Sequence, residues 1–281
     1  MIPAGWQVIE VSDLTDPRLD SYRSLTDMDL RLSQESVGGF FMAEGLLIIE
    51  RAATAECEIV SILTARRWLP RLSSVLARWT GPVFVVDDAA ELTGYRVHRG
   101  ALAHVRRPVS RSCHELLRRP GSLLVLENLV DHTNVGLAFR SAAALGIRGV
   151  IVSPACADPL YRRAVKASMG AVLSVPWARA DFWPIDLRSR SVDAPPRSVI
   201  ALTPDPGGVP LETALRERAH ADVALVVGSE GPGLTSQALA AADVRARIPM
   251  DSGVDSLNVA AATAVACYAL RMTSSNFSDK A

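Results

Sequence analysis

The chain has 281 residues, enough for two domains at about 100–200 residues each. Apolar residues make up 49% and charged residues 21%, near the globular averages of roughly 45–50% and 25%, which excludes a disordered chain or a low-complexity filament. Thirty basic residues balance thirty acidic ones, so the overall charge singles out no polyanionic partner. No apolar run approaches the ~18 residues of a membrane span, since even the alanine-rich Val259–Leu270 is interrupted by Thr263.

The N-terminus carries Glu10, Asp13, Asp16 and Asp20 where a secretory leader has basic and then apolar residues, so a cytoplasmic protein is expected. Cys57, Cys113, Cys156 and Cys267 lie too far apart in sequence for a CxxC site; they read as reduced thiols, and no metal site is expected. Residues 1–60 hold eleven acids against four arginines, a stretch that repels phosphate. Within it and just beyond, Leu46–Glu50, Glu58–Ala65 and Val83–Asp88 read as short strands separated by helical stretches such as Trp68–Arg78, a small α/β unit.

Between Arg96 and Arg119 the balance reverses, with Arg96, Arg99, Arg106, Arg107, Arg111, Arg118 and Arg119 against Glu115 alone. That run is either a local nucleic-acid footprint or a solvated face between domains. Pro108 and Pro120 bracket it, which predicts a boundary with a short helix over Ser110–Arg118. Downstream, Ser122–Glu127, Gly149–Ser153, Ala171–Pro176, Ser198–Thr203, Ala224–Gly228 and Val244–Pro249 are strand candidates, several apolar on both faces. Such strands belong in a parallel sheet covered by helices. The polar stretch Trp177–Arg197, with Pro184, Pro195 and Pro196, reads as a surface connection, and Ser274–Ala281 as a frayed tail.

Three segments at strand ends can carry chemistry. In Glu127–Gly146, Asn134 reads as an N-cap, Leu137–Leu145 as helix and Gly146 as its stop. Gly136 and Arg140 fall at i and i+4, leaving space beside a guanidinium for a phosphate or ribose; the alternative is a βα turn in which Arg140 pairs with Asp131 or Glu127. In Val226–Thr235 the glycines Gly228, Gly231 and Gly233 allow close backbone approach to a ligand, or simply a tight turn. The segment is neither GxGxxG nor a Walker loop, which argues against a nicotinamide or ATP enzyme. In Arg247–Arg271, Ser256 reads as the cap of an alanine-rich helix, and Ile248–Val254 as a loop able to hold a flat, uncharged group; a capped core helix is the plainer reading.

Taken together and in this order, the three segments resemble the SpoU (TrmH-type) family of RNA ribose 2′-O-methyltransferases within the SPOUT class. The resemblance covers roughly Leu123–Leu270: Asn134, Gly136 and Arg140 as N-x-G-x-x-x-R, Gly228–Gly231 as G-S-E-G, Ile248–Met250 as I-P-M, and Ser256–Asn258 as S-L-N, with Lys166–Ala171 as a linking stretch. One departure is Asp131-His132-Thr133, where many members have Asp-Pro. Met42–Ala52 and Val97–Ala103 are similar to the opening and end of the small RNA-recognition domain that precedes many such catalytic domains.

The resemblance implies an α/β protein: a small RNA-recognition domain over 1–108, a linker over 109–120, a mostly parallel catalytic domain over 121–273 closed by a trefoil knot, which general topology rules disfavour, and a tail over 274–281. It implies a homodimer that uses S-adenosylmethionine to methylate a ribose 2′-hydroxyl of structured RNA, with ribosomal RNA favoured over tRNA. A non-catalytic RNA-binding or ribosome-assembly factor is the alternative from another class. Transferred by position, Asn134, Arg140, Glu230, Ser256 and Asn258 are catalytic, and Thr203, Gly228, Ile248 and Leu257 bind the cofactor. Because a guanidinium keeps its proton below about pH 12, Arg140 is expected to bind the adjacent phosphate and stabilise developing alkoxide rather than act as the base. Glu230 is expected to hold Arg140 or a water.

Overall fold

In the computed structural model, residues 3, 5–26, 38–95, 97, 100–188, 197–219, 221–251 and 256–273 are described. Asp27, Asp29, Arg31, Glu35, Arg96, Arg99, Pro195, Pro196 and the 274–281 tail, all drawn on above, lie outside them. The chain forms two compact units, Met1–Val109 with Leu160–Leu173, and Ser110–Pro159 with Ser174–Ala281. The division differs from the expected one in two respects: a segment from within 121–273 belongs to the first unit, and the expected linker, from Ser110 on, belongs to the second.

The first unit is built on five strands, β1 (Trp6–Glu10), β2 (Phe40–Glu44), β3 (Ile59–Thr64), β4 (Gly81–Val85) and β5 (Ala101–Arg106), in the order β1-β4-β3-β5-β2. β1, β4 and β3 are parallel, whereas β5 runs antiparallel to both β3 and β2. The expected strand at Leu46–Glu50 is instead the first half of a helix, Leu46–Thr54. A run of four apolar residues suits either element. Here Gly45, at φ 99°, turns the chain out of β2, and Ile48, Ile49 and Ala52 then share the buried helical face while Leu47 and Glu50 face out.

The segment Leu160–Leu173 is held to this unit by a buried carboxylate. Glu44, at the end of β2 and 2% exposed, accepts from Arg162 Nη1 at 2.9 Å and from Lys166 Nζ at 2.7 Å. Tyr95 Oη donates to it at 3.3 Å, and the Arg162 guanidinium lies 4.4 Å from the Tyr95 ring centroid. Arg51 Nη1 adds a bond to Met169 O at 2.6 Å. Within the basic stretch, Arg106 pairs with Glu58 at 2.8 Å and Arg107 Nε donates to Phe40 O at 2.8 Å, so part of its charge is spent inside the unit.

The second unit carries seven parallel strands: β6 (Leu123–Glu127), β7 (Gly149–Val152), β8 (Trp177–Arg179), β9 (Ser198–Leu202), β10 (Val209–Pro210), β11 (Val223–Gly228) and β12 (Val244–Arg247). Their order is β10-β12-β9-β11-β6-β7-β8. β6, β7 and β11 are buried along nearly their whole length, as parallel strands covered on both faces must be. The strand expected at Ala171–Pro176 begins only at Trp177. Gly170, at φ 83°, starts a 3-10 turn over Ala171–Leu173, and Pro176 offers only its carbonyl, which Val150 N takes at 2.9 Å. The expected linker contains the helix Cys113–Arg118, closed by a Ser112/Glu115 capping box, whose Leu116 and Leu117 enter the second unit's core with Val125, Ile151 and Val226.

Candidate functional site

The carboxyl ends of β9, β11 and β12 meet at a cavity of about 330 Å3, the end of a parallel sheet at which α/β folds bind ligands. Thr203 follows β9, Gly228 closes β11, and Ile248 follows β12; Glu230, Ser256, Leu257 and Asn258 complete the wall with Met250 and Ala262. All four residues assigned to the cofactor and three of the five assigned to catalysis therefore share one cavity.

The loop after β11 depends on Gly228. An added Cβ would stand 2.5 Å from the Gly233 carbonyl carbon and the Leu234 nitrogen, because the chain doubles back so that Gly233 N donates to Ser229 O at 3.1 Å. Gly231 and Gly233 take φ values of 85° and 69°, where only glycine is unstrained. This reversal carries Glu230 out toward the helix His132–Ala144 that follows β6.

There, Asn134 Nδ2 donates to Glu230 Oε1 at 2.5 Å and Asn258 Nδ2 donates to the same oxygen at 2.9 Å. Asn258 Nδ2 also lies 3.4 Å from Asn134 Oδ1. Two amides thus hold one carboxylate oxygen, and among the described residues Oε2 accepts no bond. Each asparagine is fixed at its helix start, Asn134 through its main-chain N–H and Asn258 through its side-chain oxygen. Asn134 N donates to Asp131 Oδ1 at 2.8 Å, and Asn258 Oδ1 accepts from Ala260 N at 2.9 Å.

Two caps therefore differ from expectation. Asp131, not Asn134, caps the helix His132–Ala144, which frees the Asn134 side chain for Glu230. Asn258, not Ser256, sits at the start of Val259–Thr273, with Ala262 N bonded to Asn258 O and Ser256 left exposed at the cavity. The departure at Asp131-His132 leaves the turn intact, since Asp131 caps the helix and the first helical position, which has no intrahelical partner for its N–H, takes His132 as readily as proline.

Arg140 is not brought to the cluster. It is exposed on the helix, while Gly136 one turn earlier is buried. Six residues separate Arg140 from Asn134, about 120° around the helix from it. Neither of its suggested carboxylates is available: Asp131 is the cap, and Glu127, fully buried, accepts from Thr235 N at 2.9 Å, from Thr235 Oγ1 at 2.6 Å and from Trp183 Nε1. Nor does Glu230 hold Arg140: among the described residues its partners are the two asparagines, both on Oε1.

Sequence reasoning missed Glu127 as a support of the site. Thr235 caps the helix Ser236–Ala241 directly after the glycine loop, so Glu127 anchors the far end of that loop to the end of β6. The available signal was an acid ending an otherwise wholly apolar strand, a position that is buried only when its oxygens are bonded.

Residues 121–268 match the SpoU rRNA Methylase family. An uncharacterized tRNA/rRNA methyltransferase of Mycobacterium bovis is 40% identical over 268 residues, covering 95% of this chain and 92% of that protein. The 23S rRNA (guanosine-2′-O-)-methyltransferase RlmB of Coxiella burnetii is 32% identical over 150 residues, 53% of this chain and 57% of its own. Among solved structures, the AdoMet-bound rRNA methyltransferase of Sinorhizobium meliloti superposes with a TM-score of 0.76 at 25% identity, over 94% of this chain and 98% of that one. An RNA 2′-O ribose methyltransferase gives 0.74 at 26% identity over 95% and 99%. The family match over 121–268 and the 40% identity over 95% of the chain place it in one group: the chain belongs to the SpoU rRNA methylase family.

Proposed function

We propose that this protein methylates a ribose 2′-hydroxyl of ribosomal RNA with S-adenosylmethionine as donor. The observation that carries the reading is the meeting of Thr203, Gly228, Ile248 and Leu257 in one cavity with the Asn134–Glu230–Asn258 cluster at its edge. The donor set fits the cofactor's chemistry: apolar walls from Leu202, Ile248, Leu257 and Ala262 suit a flat adenine, and strand-end backbone suits its ring nitrogens. When bound, S-adenosylmethionine supplies an electrophilic methyl group on a sulfonium.

The chain's own residues then have two tasks: to position the 2′-oxygen and to receive its proton. Glu230, with Oε1 held by two amides and Oε2 open, presents an acceptor at the cavity's edge, directly or through a water. The Arg140 guanidinium is suited to an RNA phosphate and to the developing alkoxide.

Arg140 stands apart from the cluster of its own chain, which supports a homodimer as the working form. The helix Val259–Thr273 packs on His132–Ala144 and leaves Val265, Tyr268 and Met272 exposed on one stripe. A second copy covering that stripe lies beside the helix that carries Arg140, the arrangement that lets one copy complete the other's site.

The test is transfer of labelled methyl from S-adenosylmethionine to purified ribosomal RNA, assembly precursors and tRNA, wild type against Arg140→Ala. Label in ribosomal RNA that protects the neighbouring phosphodiester from alkali, lost in the variant with cofactor affinity within a few fold, supports the reading. Label only in tRNA, or only on a base, overturns the finer assignment. Failure to bind the cofactor overturns it altogether.

A further inference from the structure

The first unit has a cavity of its own, about 320 Å3, at the carboxyl ends of β3 and β4 and the start of β5. Its size falls within the roughly 300–1,000 Å3 in which small ligands are held. Its floor is apolar, formed by the buried Leu63, Val86 and Leu102. One wall is the Trp68 indole, seated against Gly100, where an added Cβ would approach the ring to 3.1 Å. Gly100 also has φ 95°, and Thr64 Oγ1 holds its carbonyl at 2.7 Å, so the backbone that receives the indole is itself fixed.

Two charged side chains at this cavity, Asp87 and Arg67, have no partner among the described residues. Asp88 spends one oxygen on Ala90 N at 2.9 Å, whereas Asp87 and Arg67 are exposed at the rim. Arg71 stands 5.8 Å from the Trp68 ring centroid. An indole wall over an apolar floor suits a flat ring. A free carboxylate beside it accepts from ring and exocyclic N–H groups, and a pair of such donors side by side meets both carboxylate oxygens, as a guanidinium does. Among the four RNA bases only guanine presents two adjacent N–H groups on its pairing edge. Arg67 at the rim and Arg71 beside the indole supply two positive charges for the flanking phosphates.

We infer that this cavity receives one unpaired guanine of the RNA substrate, packed on Trp68 and read by Asp87, with Arg67 and Arg71 on the backbone. The inference rests on the RNA-methylating reading above and adds a specificity site outside the methyl-transfer cavity. Recognition of an unstacked base on its pairing edge is the usual route to sequence choice in folded RNA.

The test uses the full chain and four probes, the 5′-monophosphates of guanosine, adenosine, cytidine and uridine. Each is titrated after the protein has been saturated with S-adenosylhomocysteine, whose own binding is read first. We expect the guanosine nucleotide to bind at least fivefold more tightly than the others. Trp68→Ala should weaken it by about tenfold or more, in keeping with the stacking loss of a single base. Asp87→Asn, an exposed change that leaves the fold alone, should remove the guanine preference while binding persists. Equal affinity for all four nucleotides, no binding of any, or binding indifferent to both variants overturns the inference and leaves the cavity to a non-nucleotide partner. S-adenosylhomocysteine binding in the same samples separates the two proposals: its loss alone defeats the methyltransferase reading, and its retention without the guanosine pattern defeats only this one.

Discussion

Asn134 and Glu230 are 96 positions apart in sequence, yet the Asn134 amide donates to Glu230 Oε1 at 2.5 Å. One lies in the first turn after β6 and the other in the reversal after β11, and β6 and β11 are neighbours in the sheet with Glu127 paired to Gly228. Asn134→Ala should lower methyl transfer by about tenfold or more, because it removes one of the two donors that orient the carboxylate. Cofactor affinity should change little, since Asn134 is outside the cavity wall. Transfer within twofold of wild type would show that Glu230 needs no such partner.

Gly228→Ala places a Cβ against backbone atoms that cannot move aside without opening the Ser229–Gly233 reversal. The expected result is a loss of cofactor binding of more than tenfold by calorimetry, with circular dichroism unchanged. Normal affinity would mean that the loop reshapes without cost to the cavity.

Glu127→Ala leaves the Thr235 amide, the Thr235 hydroxyl and the Trp183 indole N–H without their acceptor in a fully buried setting. At about 1–3 kcal/mol for each unsatisfied buried donor, reduced by whatever water enters, a stability loss of about 2–4 kcal/mol is expected in urea unfolding. Glu127→Gln, which keeps one acceptor oxygen, should recover part of it. A loss below about 1 kcal/mol would show that the loop is held elsewhere.

Glu44→Ala removes the one carboxylate that Arg162, Lys166 and Tyr95 share. Breaking a buried ion pair from one side costs about 3–5 kcal/mol. The change should also expose Leu160–Leu173 to limited proteolysis before the rest of the chain. Wild-type cleavage kinetics would argue that Arg51 and the apolar contacts suffice.

If the exposed stripe is the contact of the proposed homodimer, Tyr268→Glu with Val265→Glu should lower the sedimentation coefficient to that of a monomer without unfolding the chain, both side chains being outside the core. Methyl transfer should fall with it if Arg140 serves the partner's site. A sedimentation coefficient equal to that of wild type would overturn this stripe as a dimer contact.

Much of the second unit could be read from its sequence. Apolar runs such as Leu123–Glu127 and Val223–Gly228 are buried on both faces, and only a parallel sheet under helices accepts them. The glycine loop, Asn134 and Asn258 were legible because their spacing from strand ends is local. The element type of Leu46–Glu50 was not, since four apolar residues fit a strand or a helix and the left-handed turn at Gly45 decided between them. The caps also turned on three-dimensional contacts: Asn134 spends its side chain on Glu230 and leaves the cap to Asp131, whereas Asn258 gives Nδ2 to Glu230 and keeps Oδ1 for Ala260 N at its own helix start. Most of what the tertiary structure alone decided concerns contacts between distant segments. Leu160–Leu173 leaves its flanking sequence for the first unit because Glu44 needs two cations at its buried carboxylate. Arg140 stays outside the cluster its motif suggests: it is exposed and lies about 120° around the helix from Asn134, which reaches Glu230. Local sequence sets periodicity and turn chemistry; which buried charge meets which partner depends on strand order, and strand order is a property of the whole sheet.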